Sequence, residues 1–190
     1  MRIFGIDPGS VRTGYGCVDT DGTRHRMVTC GALATSARDS FPERLRTIHR
    51  GLRALLASEA PQCVVIENLF HARNVRSALT LGHARGVAML AAIESDLPVF
   101  EYTPAEIKVA VVGYGRAEKT QVQQMVKLLL GLDTAPTPHD AADALAIALC
   151  HAHRTGGGAA RVAQAAGAAS RSPRSWRQMT PAQLARRSAT

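Results

Sequence analysis

The segment TPHDAADALAIALCHA, residues 137–152, is mostly alanine and leucine, the composition of a helix buried on nearly every side. Two acids, Asp140 and Asp143, open it. Thr137 is expected as the N-cap and Pro138 as the first helical residue, which makes Asp140 the third, where a negative charge suits the positive end of the helix. Capping does not account for Asp143, one turn further along the same face, with Cβ atoms roughly 5–6 Å apart. Two like charges this close on a buried helix require a positive charge between them.

The rest of the chain limits where that helix can sit. RIFGI, GYGCVD and HRMVTCGALA read as three strands, the last two separated by the turn DTDGT, and so as an antiparallel meander. SFPERLRTIHRGLRALLASEA reads as a helix with Ser40 and Glu43 as a capping box and its arginines as a solvated face. CVVIE, VRSALTLGHARGVAMLAAIESD and VFEY give a strand, a long helix and a fifth strand; TPAEIKVAVV and EKTQVQQMVKLLLG are two helices around the loop GYGR. The order β-β-β-α-β-α-β-α-α-α predicts an α/β fold, a mixed five-stranded sheet flanked by helices.

Charge divides the chain where this pattern ends. The 190 residues carry a net +8, but residues 155–190 hold six arginines and no acid, leaving only +2 on residues 1–154. Residues 1–154 are therefore expected to form one folded domain. The Gly/Ala/Ser/Arg-rich remainder, too poor in large apolar residues for a core, is expected to be a flexible tail that either holds phosphate backbones non-specifically or only solubilises. MTPAQLARRSA within it has the caps for a short helix, Thr180 then Pro181. No apolar run is long enough to span a bilayer and MRIFGIDPGS lacks a signal-peptide pattern, so no membrane is expected and the cytoplasm is the expected location. Cys17, Cys30, Cys63 and Cys150 form no CxxC pair and read as reduced packing residues.

Two further acids end strands. Asp7 closes the first, where Pro8 keeps it extended and Gly9 turns the chain away; Glu67 closes CVVIE. If the fourth strand pairs with the first, both lie at strand C-terminal ends, where open α/β sheets place their sites, and the first turn of the Ala-rich helix can dock there. Four convergent carboxylates without cysteine make an oxygen-only site suited to Mg²⁺ or Mn²⁺. Two such ions roughly 3.5–4 Å apart would clamp the attacking and leaving oxygens of a phosphoryl displacement.

GIDPGSVRTGYG, IENLFHARNVRSALTLGHARG, VVGYGRAEKTQVQ and HDAADALAIALCH together resemble the RuvC family of Holliday-junction resolvases, in order and in spacing, over residues 1 to 154. The resemblance implies a ribonuclease-H-like fold and a homodimer that nicks opposing strands of a four-way DNA junction in recombination and repair. It implies two Mg²⁺ per active site, with Mn²⁺ able to substitute, and the RuvA–RuvB branch-migration complex as a partner. By motif, Asp7, Glu67, Asp140 and Asp143 match the family's metal-binding catalytic acids, Phe70 an aromatic that stacks on opened bases, and Lys108 and Lys119 basic residues near the scissile phosphate.

From the residues alone, Phe70 either stacks a base, a contact of roughly 1–3 kcal/mol, or folds back into the core. Arg73 and Arg76 are close enough in sequence to Glu67 to be expected on phosphate; Arg85 is a weaker candidate. Lys119 stands in the first turn of a helix, where its charge opposes the dipole, which favours a functional reason for it. His139 either reaches a metal, orients water or faces solvent, and His71 and His83 read as structural or surface residues. Gly82, Ala84 and Gly86 permit close approach, to a second subunit or to the sheet. Three rival readings fit less well. A sugar-kinase-type ATPase needs two such domains, a nuclease for RNA–DNA hybrids is opposed by NLFHARN and AEKTQ, and an inactive junction binder would not need four acids.

Overall fold

The computed structural model describes residues 1–36, 38–68 and 74–156. Phe70, Arg73, His71 and the basic tail from residue 157 onward lie outside the described residues.

The elements follow the expected order: β1 (Arg2–Asp7), β2 (Arg12–Thr20), β3 (His25–Ala34), α1 (Phe41–Glu59), β4 (Cys63–Glu67), α2 (Val75–Ile93), β5 (Val99–Tyr102), α3 (Pro104–Val112), α4 (Lys119–Leu129) and α5 (His139–Thr155). The sheet runs β3-β2-β1-β4-β5. β1, β2 and β3 are antiparallel neighbours, whereas β4 lies parallel to β1 and β5 parallel to β4. The first and fourth strands therefore meet, as the position of the two strand-end acids required.

Side chains of alternate parity separate into two cores. Phe4, Ile6, Cys17, Val64 and Ile66 pack under α1 and α2, while Ile3, Val18, Cys63 and Val65 pack under α3, α4 and α5. Asp7 shares parity with Ile3, and Glu67 with Cys63 and Val65, so both acids point to the α5 face. Cys17, Cys63 and Cys150 are buried and unbridged, as is the half-buried Cys30. Burial pushes the thiols of Cys17 and Cys150 up to about 12 and that of Cys63 up to about 11, which keeps them protonated and inert. No helix among the described residues is long and apolar enough to cross a membrane.

Helix α5 lies on β1 and β2 with backbone against backbone. A Cβ on Gly5 would stand 2.1 Å from the Ala144 carbonyl oxygen, one on Gly14 2.1 Å from the Asp140 carbonyl oxygen, and one on Gly16 2.8 Å from the Leu145 amide nitrogen. Gly5 and Gly16 are cross-strand partners, and Gly14 is the partner of Asp7. The three glycines form a trench that only a helix with small facing residues can enter.

Two expected caps differ from the structure. Pro138, not Thr137, is the N-cap of α5: its ψ of 176° leaves it extended, His139 starts the helix, and proline has no side-chain oxygen to cap with. Ser40 is the N-cap of α1, but its hydroxyl makes no cap hydrogen bond, and the reciprocal bond is also missing, the Glu43 carboxylate pairing with Arg46 at 3.3 Å. A true capping box stands on α3, between Thr103 and Glu106.

Adding a methyl group at the trench, in Gly5→Ala or Gly14→Ala, is expected to destabilise the protein by about 1–3 kcal/mol through overpacking. Urea denaturation reads this as a lowered midpoint at unchanged slope, and an unshifted midpoint in both variants would contradict the close approach.

Candidate active site

Three elements bring the acids together. Asp7 ends β1, Glu67 ends the parallel neighbour β4, and Asp143 stands one turn into α5, which the glycine trench holds against both. These three carboxylates line a cleft of about 270 Å³ together with Lys108 of α3 and Lys119 of α4. Asp140 is not among the residues that line it; its carboxylate is 3.7 Å from the Arg12 guanidinium. Its charge still reaches Asp7.

The electrostatics are those of an under-neutralised cluster. Burial, then the charges of Glu67, Asp143 and Asp140, push the Asp7 carboxyl up to about 8; Lys119 works the other way. Burial and Asp143 push Glu67 up to about 7 against the pull of Lys119 and Lys108. Lys119 Nζ donates to Asp143 at 3.1 Å, and that hydrogen bond raises the lysine above its ordinary value. The positive charge expected between Asp140 and Asp143 is thus supplied in part by the chain, through Arg12 and Lys119, but neither cation pairs with Asp7 or Glu67.

The donor set fits a hard cation. It consists of carboxylate oxygens, with no thiol or imidazole among the described residues that line the cleft, and its three acids, once all ionised, outnumber its two lysines. Among the described residues no three His, Cys, Asp or Glu side chains form a ready-made metal cage. Asp143 and Asp140 are turned to Lys119 and Arg12 instead.

The remaining candidates divide clearly. Lys108 and Lys119 are in the cleft. Arg76 is exposed on the first turn of α2, outside the cleft lining. Arg85 is committed to an ion pair with Glu101 of β5, which takes it away from phosphate. His139 is exposed and bonded through Nδ1 to the Gln123 side chain. His83 packs edge-on against Phe41 at 5.6 Å between ring centroids. Sequence reasoning missed Arg12 as a partner of the acids. Its nearness to Asp140 depends on how deep α5 sinks between the strands, which only the glycine spacing in GYG hinted at.

A mixed sheet with acids at the ends of two central parallel strands and a third on a helix docked across them defines the ribonuclease-H-like class of fold. Residues 3–151 match the family model described as crossover junction endodeoxyribonuclease RuvC. Proteins of that description from Syntrophotalea carbinolica and Alkaliphilus oremlandii are 54% and 51% identical over 153 residues, covering 80% of this chain and 94% and 93% of theirs. The structure of Thermus thermophilus RuvC in complex with Holliday junction substrate superposes with a TM-score of 0.79 at 38% identity, over 83% of this chain and 96% of that one. The yeast mitochondrial resolvase Ydc2, at 14% identity and a TM-score of 0.59 over 80% of this chain and 77% of that one, shares the fold. The chain belongs to the RuvC family of crossover junction endodeoxyribonucleases.

The raised carboxyls have a consequence for stability. In metal-free buffer their contribution is full below pH about 4, where folded and unfolded chains are both protonated. It is lost as pH rises toward about 8, because the unfolded chain ionises at 3.8 and 4.5 while the folded chain holds its protons until about 8 and about 7. Asp19 and Asp21, held low by Arg2 and by backbone N–H groups respectively, act in the opposite direction, so the comparison with Asp7→Asn isolates the effect. Asp7→Asn is expected to melt above wild type at pH 8 in EDTA, with the difference shrinking toward pH 4. Equal melting temperatures across that range would contradict the crowding.

Proposed function

We propose that this chain is a structure-specific DNA endonuclease that resolves four-way junctions by metal-dependent hydrolysis of one phosphodiester in each of two opposing strands. The observation that carries this reading is the convergence of Asp7, Glu67 and Asp143 on one cleft, with the charge of Asp140 reaching Asp7, in a chain of this family. Asp7, Glu67, Asp140 and Asp143 are the proposed metal-binding acids, for two Mg²⁺ with Mn²⁺ as a substitute. A bound divalent ion supplies Lewis-acid activation of the attacking water and neutralises charge at the leaving 3′-oxygen.

The chain's own groups do the rest. Asp7 and Glu67 must give up protons for such an ion to bind, and their position at rigid strand ends fixes where it would sit. Lys119 would leave Asp143 for a phosphate oxygen, and Lys108 faces the same cleft. Arg76, exposed on α2, is a proposed backbone contact. Phe70 and Arg73, outside the described residues, are proposed to meet the junction on the strength of their motif. The apolar wall of the cleft, Ile107, Val122 and Ile147, limits water around the reacting phosphate.

Cutting two strands together requires two sites, and α2 offers a face for a second copy. Val75, Leu79, Leu90 and Ile93 on it are 77%, 59%, 50% and 60% exposed, with Gly82 and Gly86 between them meeting no atom within 4 Å of an added Cβ. The spacing 75, 79, 82, 86, 90, 93 is one helical stripe. Ala84, by contrast, is fully buried and belongs to the protein's own core. A homodimer along this stripe is part of the proposal, as are the RuvA–RuvB partnership, the cytoplasmic location and a division between a folded domain of 1–154 and a basic tail of 155–190. A family match ending at residue 151 and the end of α5 at Thr155 support that division.

A synthetic mobile four-way junction labelled on each strand tests the activity. Paired nicks on opposing strands are expected with Mg²⁺ or Mn²⁺ and none in EDTA. Asp7→Asn, Glu67→Gln and Asp143→Asn should each lose more than about 100-fold, exceeding the loss typical of a metal site's supporting residues. Cutting of an RNA–DNA hybrid in preference to the junction would overturn the reading.

Leu79→Glu should raise the dimer dissociation constant by about 30-fold or more without changing the circular dichroism spectrum, since Leu79 is exposed within one subunit. Sedimentation at graded concentration measures it, and an unchanged equilibrium would contradict the stripe.

A further inference from the structure

The arginines of α1 read from sequence as a solvated face, and Arg44 departs from that pattern. Its guanidinium is half-buried and turned inward. Nε donates to the Ser10 carbonyl oxygen at 2.9 Å, Nη2 donates to the same oxygen at 2.5 Å and to Ser10 Oγ at 3.1 Å, and Nε also reaches Thr35 Oγ1 at 3.3 Å. Arg46 pairs with Glu43 and Arg53 with Glu94, but Arg44 pairs with no carboxylate among the described residues. A partly desolvated cation held only by neutral oxygens is costly unless it fixes something that matters.

What it fixes is the apex of the turn between β1 and β2. Asp7 enters that turn and Arg12, 3.7 Å from Asp140, leaves it. The turn is narrow: a Cβ on Gly9 would stand 2.2 Å from the Arg12 carbonyl oxygen, and Thr13 Oγ1 donates back to the Gly9 carbonyl at 2.7 Å. Thr35 closes the other side, its hydroxyl donating to the Ser10 and Val11 carbonyls at 3.1 Å and its amide to Val11 at 2.9 Å. Arg44 itself lies over the Phe41 ring at 5.9 Å, and Phe41 rests edge-on against His83 of α2. The clamp therefore runs from the catalytic turn through α1 to the helix proposed to carry the second subunit.

We propose that Arg44 is a positioning residue for the catalytic turn, holding Asp7 and Arg12 in register with the acids of β4 and α5. The inference rests on the endonuclease reading above. Arg44 lines no part of the cleft, so its loss should leave DNA binding intact and displace the carboxylates by a fraction of their spacing.

The test is single-turnover cleavage of a synthetic four-way junction by the full chain with Mg²⁺, at protein concentrations that saturate binding. Junction affinity is measured separately by gel shift in EDTA. In Arg44→Ala the saturated rate should fall by about 10- to 100-fold, the scale of a small misplacement of reacting groups, with affinity unchanged. Arg44→Lys, which keeps one donor for the Ser10 carbonyl, should recover part of the rate. Millimolar guanidinium should raise the rate of Arg44→Ala and not that of wild type. A wild-type saturated rate in Arg44→Ala, or a loss that lies wholly in weaker junction binding, would overturn the assignment. If Arg44→Ala does not fold, Arg44→Lys decides: a reduced saturated rate with intact binding supports the assignment and a wild-type rate overturns it. Failure of the wild-type chain itself to cut the junction is a distinct result, which removes the endonuclease reading and this inference with it.

Discussion

The contact on which this molecule depends is the close approach of α5 to β1 and β2. Ordinary helix-on-sheet packing keeps backbones about 10 Å apart by interposing side chains, as stacked layers do. Here Gly5, Gly14 and Gly16 remove the side chains on the sheet, and alanines thin those on the helix, so carbonyl groups of α5 rest on the strands. Eleven of the seventeen residues of α5 are buried, including its second half as far as Ala152, so the helix has no freedom to slide or tilt. Its register against the sheet decides where Asp140 and Asp143 stand relative to Asp7, and the Asp140 carbonyl against Gly14 is itself one of the contacts that set it.

That rigidity makes the electrostatic conflict possible. Four acids held this near one another would separate if their backbones could move; the trench prevents it. The conflict is relieved in three ways: Asp143 takes Lys119, Asp140 takes Arg12, and Asp7 and Glu67 keep protons well above the usual carboxylate range. Acids that are costly to the folded state and gathered in one cleft mark a site kept for chemistry in preference to stability. A divalent cation would reverse each of these adjustments, deprotonating the half-buried Asp7 and Glu67 and releasing the two basic side chains toward an anionic substrate.

The sheet and its helices were legible because each element carries its own periodic pattern, and because strand parity alone sends Asp7 and Glu67 to one face. The site was legible for a different reason: an acid at the end of an apolar strand, or one turn into an apolar helix, contradicts its surroundings and draws attention. Residues whose roles come only from tertiary depth were not. Arg12 and Arg44 look like surface arginines in sequence, and only the docking of α5 and the seating of α1 give them partners. Arg85 looked available to phosphate and is taken by Glu101 of the strand that follows its own helix, a pairing that appears only once α2 and β5 are folded together. The caps failed for local reasons, since Pro138 and Glu43 had alternatives that composition does not reveal.

The central claim is that Asp7 and Glu67, half-buried and holding protons well above the usual carboxylate range, form with the acids of α5 a site completed by a divalent cation. Calorimetric titration of the metal-free protein with Mn²⁺ near pH 7, repeated in buffers of different ionisation enthalpy, tests it directly. The account predicts saturable binding that releases about one proton or more per site, because metal ligation requires the deprotonated carboxylates, with both the binding and the release lost in Asp7→Asn. Binding that releases no proton, or that persists in Asp7→Asn, would contradict it.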